Sequence, residues 1–542
     1  MGMSLRQTVV LFALVWFPVF AESATELRFA IHADPKTFDP LLAEEEVSET
    51  IRYLTGGVLI RVNRQTQQLE PELAASWKVL DNARRIDFVL RPNLRFSDGT
   101  PFGPVDVVAT FRRIMNSDLH SAIADTFRTA GGGITAQVNG PHEVSVTFTQ
   151  PVAGLEMLFD QLAIAPERSL SNATAVLGPF FLSEYKSGQY VLLRRNPRYW
   201  KVDAAGNRLP YLDFVRLDIQ SNREAEMLRF RRGELHLVDK VEPDAFQRLS
   251  KNMPSAVRNA SASLDSEFLW FNQKPDAPLP LHKKRWFQSQ LFRQAVSIAI
   301  NREDIIRLVY RGYAHPAVGP VSAANRFWFN AKLGGAKYDP AAARKLLEND
   351  GFHLDGDTLR DREGNKVEFS LITNAGNKTR EQIGLIVQQD LAKLGIRLNV
   401  LPIEFQSLIE RITGSQQYEA CLLGFNNVEL DPNSQMNIWM SSGTLHAWNP
   451  KQIKPTTPWE DEIDRLMEKQ HSSVESASRK QAFDRVQQVV VEQQPIVYLV
   501  HPDVLVAASP SIRGLEPTPL PPHLYWNIER VSLAALPTRS NE

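Results

Sequence analysis

The sequence predicts an α/β protein with a mostly parallel sheet, and three observations carry that prediction. Between Val367 and Asn427 the chain reads strand, helix, strand, helix, strand. The two helical segments of that run stop at glycines, Gly395 and Gly414, and the first spaces its apolar residues as a helix does. With 542 residues, 43% hydrophobic and 23% charged, the chain is globular in composition and long enough for several cores.

Taken in order, Glu26–Ile31 is a short apolar strand that ends at His32, and a helix is expected from Glu44 to about Leu59. Its acidic first turn (Glu44, Glu45, Glu46) complements the helix dipole or faces a ligand. Leu69 to Trp77 leads through Asp81-Asn82 into the strand Arg85–Leu90. Ser97-Asp-Gly-Thr-Pro101 is a tight turn, with side chains that bond backbone amides and a glycine free to take positive φ. Asn301-Arg-Glu-Asp304 and Asp339-Pro340 are helix starts with their caps in place, and Trp77 and Trp200 are core aromatics. In the opening run, Val367–Thr373, Ile396–Ile403 and Tyr418–Phe425 are strands, and Arg380–Leu394 and Phe405–Thr413 are helices. Ligands of open parallel sheets sit beyond the carboxyl ends of the strands. Here those ends are Asn374–Asn377, Glu404–Phe405 and Phe425–Asn427. Near the C-terminus, Ile496–Val500 and Val504–Ala507 read as two strands around His501-Pro502, followed by a proline-rich tail, Pro517–Pro522.

Several function classes are excluded or disfavoured. A formal net charge of −1, with no basic run, gives no field for nucleic acid or anionic lipid. Arg6, the apolar Val9–Phe17 and the small residues of Pro18-Val-Phe-Ala21 form a secretory signal peptide over residues 1–21, too short in its apolar part for the roughly 20 residues of a spanning helix. The single cysteine, Cys421, rules out an intramolecular disulfide. No cysteine follows the signal peptide, so a periplasmic location without a lipid anchor is expected. The 11 histidines show no metal-ligand spacing, and no cofactor or metal is expected. A secreted hydrolase would want a Gly-x-Ser-x-Gly elbow or a His-Glu-x-x-His helix, and neither occurs.

From Leu69 onward a resemblance takes over. Leu69-Glu-Pro-Glu-Leu-Ala-Ala-Ser-Trp77, Arg91, Phe96-Ser-Asp-Gly-Thr-Pro101 and Val105-Asp106-Val107 stand in order. Gly178-Pro-Phe180, Arg194 to Trp200, Phe230 to Glu234, Trp270-Phe-Asn272, Arg293-Gln-Ala295 and Ala299 to Arg302 follow. This text resembles the extracellular solute-binding proteins of the dipeptide/oligopeptide/nickel class, family 5, which deliver ligands to ABC importers.

The resemblance implies a periplasmic-binding-protein type II-like fold, two α/β lobes joined by a hinge with an extra domain inserted. Lobe I would take residues 22–56, 176–268 and 501–542, the inserted α+β domain II residues 57–175, and lobe III residues 269–500. The hinge would run near Asp265–Phe271 and Ile496–Val504. It also implies a binding subunit that does no chemistry, works as a monomer and has a membrane permease and a small solute or peptide as partners, with no nucleic acid.

In peptide-binding relatives an aspartate after the third strand holds the ligand's α-amine. Here Val428 occupies that position, and Asp431-Pro432 matches the structural Asp-Pro of the family. Glu429, Glu45 or Glu46 are left as alternative amine partners. Arg380 stands near the position of the relatives' carboxylate-binding cation, with a solvated surface arginine as the plainer reading. Asn426 and Asn427 suit sugars, amides or another neutral ligand. His32, Asn374, Phe405 and Phe425 complete the candidate ligand-binding set. A ligand-sensing accessory protein on the same fold is the remaining alternative.

Overall fold

The computed structural model describes residues 24–534 apart from 117, 120, 168–174 and 427, and no side chain is described at 129 and 130. The expected signal peptide lies outside these residues.

A single 12-stranded sheet runs through the molecule. In chain order its strands are β1 (Glu26–Ile31), β6 (Phe180–Lys186), β7 (Tyr190–Arg195), β8 (Phe214–Ile219), β9 (Leu237–Val238), β10 (Val257–Ala262), β11 (Ser266–Phe271), β12 (Ala314–Pro316), β13 (Glu368–Asn374), β14 (Arg397–Ile403), β15 (Ala420–Phe425) and β16 (Ile496–Ala508). The spatial order is β14-β13-β15-β11-β16-β9-β1-β8-β7-β6, with β10 and β12 also pairing β16. The numbers β2 (Ala74–Leu80), β3 (Arg85–Leu90), β4 (Ile134–Gly140) and β5 (Glu143–Phe148) go to a separate antiparallel sheet of order β2-β3-β5-β4.

The sequence run from 367 to 425 folds as its periodicity predicts. Parallel strands β13, β14 and β15 carry apolar residues on both faces. Phe369 and Leu371 pack with Ile383, Val387 and Leu391 of the helix Lys378–Ala392, while Ile372 and Cys421 pack with Leu408 and Ile412 on the other side. Such two-sided burial is why these strands read as near-continuous apolar text. On the far half of the sheet, Leu27, Phe29, Ile31, Leu217 and Val506 share a core with Leu54 of helix α1 (Glu46–Thr55). The small antiparallel sheet has its own core, built on Phe88, Phe111, Phe127 and Phe159 in edge-on contacts. The Ser97–Pro101 turn ties this core to its surroundings: Asp98 Oδ1 accepts from the Thr100 amide at 2.9 Å, and Ser97 N donates to the Val176 carbonyl at 2.9 Å.

One expectation needs correcting. The two strands around His501-Pro502 are a single strand, β16, 13 residues long. Proline has no amide to give, but Pro502 lies where the strand changes partners. On one edge Val500 is the last residue paired with β11 and Asp503 the first paired with β10, so the missing donor falls in the gap between those two ladders, while on the other edge Pro502 stands opposite Ala314 of β12.

Candidate functional site

Strand polarity locates the site. β11 runs antiparallel to the first half of β16, with Trp270 opposite Ile496 and Glu267 opposite Val500. β15 runs antiparallel to β11, so its last residue, Phe425, lies beside Ser266 where the chain crosses from one half of the sheet to the other. β13 and β14 are parallel to β15, so Asn374 and Ile403 end on the same side. In the other half, Leu237 and Val238 pair with Ala508 and Ala507, and Asp239 continues toward the crossing. β1 and β8 are parallel to β9 there, which brings His32 and Gln220 to the same edge. Two sets of carboxyl-terminal strand ends thus face each other across one crossing made of β16 and the β10–β11 connection. At the crossing His501 Nδ1–H donates to the Asp265 carbonyl at 2.8 Å, and burial holds its imidazole down at about 4, so it is neutral near pH 7.

The wall formed by β13–β15 is mostly self-satisfied. Arg380, expected as a surface group or a ligand cation, is buried instead. Its Nε and Nη2 grip both oxygens of Glu267 at 2.8 and 3.2 Å, and Nη1 donates to Asn374 Oδ1 at 3.0 Å. Burial raises the Glu267 carboxyl and the Arg380 charge opposes that rise. Neither Arg380 nor Asn374 Oδ1 is therefore free for a ligand's carboxylate. Gly424 is required by this pair, since a Cβ there would stand 2.8 Å from Arg380 Nη2 and 2.5 Å from the Ser266 carbonyl. Phe425 packs on Phe268 with ring centroids 4.7 Å apart, and Phe405 is half exposed at the start of helix Phe405–Ile409. Asn426 is exposed, and Asn427 lies outside the described residues. Glu429 is exposed, and surrounding protein raises its carboxyl. Its one side-chain hydrogen bond among the described residues is from Gln161 Nε2, at the long distance of 3.5 Å.

On the opposite wall, Glu45 also differs from expectation. It is the N-cap of α1, and its carboxylate accepts from the amides of Val47 at 2.6 Å, Ser48 at 3.0 Å and Lys36 at 3.1 Å. Burial would raise it, but these bonds and the Ser48 hydroxyl hold it below the usual carboxylate range. A carboxylate so engaged is no free amine partner. Glu46, the next residue, is exposed. His32 donates Nδ1–H to the Gln220 carbonyl at 3.0 Å, which leaves Nε2 as an acceptor. Asp239 was not anticipated from the sequence. The strand before it is two residues long, too short for any periodicity to announce it.

The far side of the mouth is bridged. Asn433 Nδ2 donates to the Ala153 carbonyl at 3.1 Å, and the Arg326 amide donates to Gln67 Oε1 at 3.1 Å. Gly154, at φ +69, lies against the Asp431–Arg479 ion pair, and a Cβ on it would come within 2.9 Å of Asp431 Oδ2. A separate recess of about 440 Å³ lies by Glu368, Asn399 and Glu419, near the opposite ends of these strands. Its polar floor is already paired, with Glu419 bound to Lys283 at 2.6 Å and to the Ser370 amide at 2.6 Å. It offers a ligand little, and the strand-end cleft is the stronger site. Among the described residues no group of three His, Cys, Asp or Glu could hold a metal ion, and no helix is long and apolar enough to cross a membrane.

Comparison with known proteins places this architecture. Residues 68–446 match the model of the bacterial extracellular solute-binding proteins, family 5 (middle region). A probable ABC transporter-binding protein of Deinococcus radiodurans is 26% identical, with 89% of this chain and 87% of that protein covered. The oligopeptide-binding protein AppA of Bacillus subtilis is 24% identical, with 92% and 90% covered. Among solved structures, the ABC transporter substrate-binding protein CtaP of Listeria monocytogenes has a TM-score of 0.79 at 22% identity, covering 94% of this chain and 100% of that one. AppA of Bacillus subtilis in complex with a nonapeptide has a TM-score of 0.69 at 23% identity, covering 94% and 99%. At such identities the structural likeness establishes the fold.

Proposed function

This chain belongs to the bacterial extracellular solute-binding proteins, family 5, and on that premise we propose that it is the substrate-binding subunit of an ABC importer of the peptide class. It captures a short peptide or peptide-like solute between two lobes and hands it to a membrane permease, as a monomer and without chemistry of its own. The observation that carries this reading is the pair of opposed strand-end sets joined by the continuous strand β16. A strand shared by two bodies lets them rotate about it, and closure then excludes water from the ligand. Relatives support the ligand class: AppA is named for oligopeptides, and a solved structure of DppA from Helicobacter pylori holds the peptide STSA.

In this reading lobe I comprises residues 22–56, 176–268 and 501–542, domain II residues 57–175 and lobe III residues 269–500. The family is extracellular; the finer location is the periplasm, reached by the signal peptide at residues 1–21. His32, Glu46, Phe405, Phe425, Asn426 and Glu429 line the site, and Glu429 replaces the relatives' aspartate as the α-amine partner. Glu45, Asn374 and Arg380 belong to its scaffold.

Native mass spectrometry of the mature protein taken from its own compartment tests the reading. A retained mass that fragments as a peptide is the expected result. A protein that holds no ligand and shows no thermal shift with mixed-length peptides would overturn it, because saturating ligand raises stability by a few kcal/mol.

A further inference from the structure

The lobe I rim carries a carboxylate that the scaffold leaves without a donor. Asp239 follows β9 at the end that faces the crossing, and its Oδ1 is out of solvent with no hydrogen-bond partner among the described residues. Elsewhere the chain answers its buried acids. Glu267 has Arg380, Glu529 has Arg61 and Lys201, and Asp218 has Arg216 and Arg229. Leaving an acid without a donor is costly, and native structures seldom do so without a use for it.

His523, Arg223 and His32 act on Asp239 as cations and Glu46 as a like charge, but none of them donates a hydrogen bond to its Oδ1. Arg223 pairs with the buried Glu226 at 3.3 Å. His32 and His523 give their Nδ1–H to the carbonyls of Gln220 and Thr518, each at 3.0 Å. Glu46 adds a second acid from the start of α1. Burial raises the Asp239 carboxyl, and the charges of His523, Arg223 and His32 offset that rise only in part.

We infer that Asp239 is the counter-ion for a cationic side chain of the ligand, so that the cleft selects short basic peptides. The inference rests on the peptide-binding reading above and goes further by naming the residue and the charge it selects. A lysine or arginine side chain supplies the donors that Oδ1 lacks, through a charge-assisted hydrogen bond in a space from which water is excluded.

The test uses a synthetic library of random peptides of mixed length, offered to ligand-stripped wild type and to D239N, with captured peptides identified by mass spectrometry. Wild type is expected to enrich lysine and arginine about tenfold over uncharged residues of similar size, and D239N to capture peptides without that bias. Capture without basic bias by wild type, or a bias that survives D239N, overturns the inference and leaves the peptide reading standing. If wild type captures no peptide, the peptide reading fails and the inference falls with it. A second measurement guards against a folding artefact. Asp239 has a raised carboxyl, so its share of stability is present at low pH and is lost as pH rises. Ligand-free D239N should therefore melt at or above wild type, by a margin that widens as pH rises from about 4. A margin that stays flat over that rise would overturn the claim that Asp239 is an unanswered acid.

Discussion

Replacing Arg380 with methionine separates the scaffold reading of this residue from the ligand-cation reading. Its side chain is 8% exposed and that of Glu267 11%, and two hydrogen bonds of 2.8 and 3.2 Å join them. Methionine fills much of the same volume but leaves Glu267 buried without a partner. Breaking a buried pair from one side costs about 3–5 kcal/mol, whereas a solvated pair is worth about 1 kcal/mol or less. Hydrogen exchange of the β15 and Lys378–Ala392 amides reads this locally, which suits a chain of several cores that need not unfold in one step. The opening free energy there is expected to fall by about 3–5 kcal/mol.

The pH dependence gives the sign a second check. Burial already raises Glu267, and with the opposing Arg380 charge removed it rises further. A carboxyl raised in the folded state stabilises below its unfolded pKa and loses that contribution as pH climbs, so the deficit of the variant should grow from about pH 5 to about pH 8. The double variant R380M/E267L removes both charges and should recover most of the loss. A loss below about 1 kcal/mol in R380M, together with weakened ligand binding, would refute the scaffold assignment and return Arg380 to the site.

Other perturbations follow from neighbouring geometry. In Gly424→Ala the new Cβ meets the Ser266 carbonyl at 2.5 Å and Arg380 Nη2 at 2.8 Å, and backbone cannot yield as a side chain can, so a melting experiment should show a loss of about 1–3 kcal/mol. Gly154→Ala pushes a Cβ to 2.9 Å from Asp431 Oδ2 at a φ of +69. It should weaken binding of any captured peptide about fivefold, or about 1 kcal/mol, mainly through faster dissociation measured by surface plasmon resonance. Glu460 is almost fully buried and accepts from the Thr456 and Thr457 amides, each at 3.0 Å, and from Trp448 Nε1 at 3.2 Å. Burial would raise its carboxyl, but these bonds and His446 hold it at about 2 against an ordinary 4.5. That difference is worth about 3 kcal/mol, present above pH 4.5 and lost as pH falls toward 2, so E460Q should flatten the acid limb of a pH–stability curve.

Local signals were legible where the physics is local. The strand–helix alternation of residues 367–425 follows from apolar spacing within each segment. Asn301 and Asp339 cap their helices as predicted, accepting from the amides of Asp304 at 3.3 Å and Ala342 at 2.8 Å. What escaped depends on partners far apart in the chain. Arg380 meets Glu267 across 113 positions, and no window of sequence carries that pairing. Glu45 reads equally well as cap or ligand until the backbone turns its carboxylate onto the Val47 and Ser48 amides. Pro502 looked like a strand break because a proline inside a ladder usually is one, and only the change of partners at the crossing excuses it.

The contrast between engaged and unengaged acids bears on how the cleft works. Glu45, Glu267 and Glu404 each lie at a strand or helix end near the cleft, and each is taken by backbone amides or an arginine that fixes the wall. Asp239 and Glu429, which the proposed site sets on opposite walls, have raised carboxyls and little or no protein donor among the described residues. An acid of that kind resists closure, because bringing the walls together removes more water from it. A ligand cation reverses the sign by supplying the missing charge as the water leaves. In the proposed reading the same two side chains bias the empty cleft open and the loaded cleft closed, and the differential affinity that drives closure comes from them.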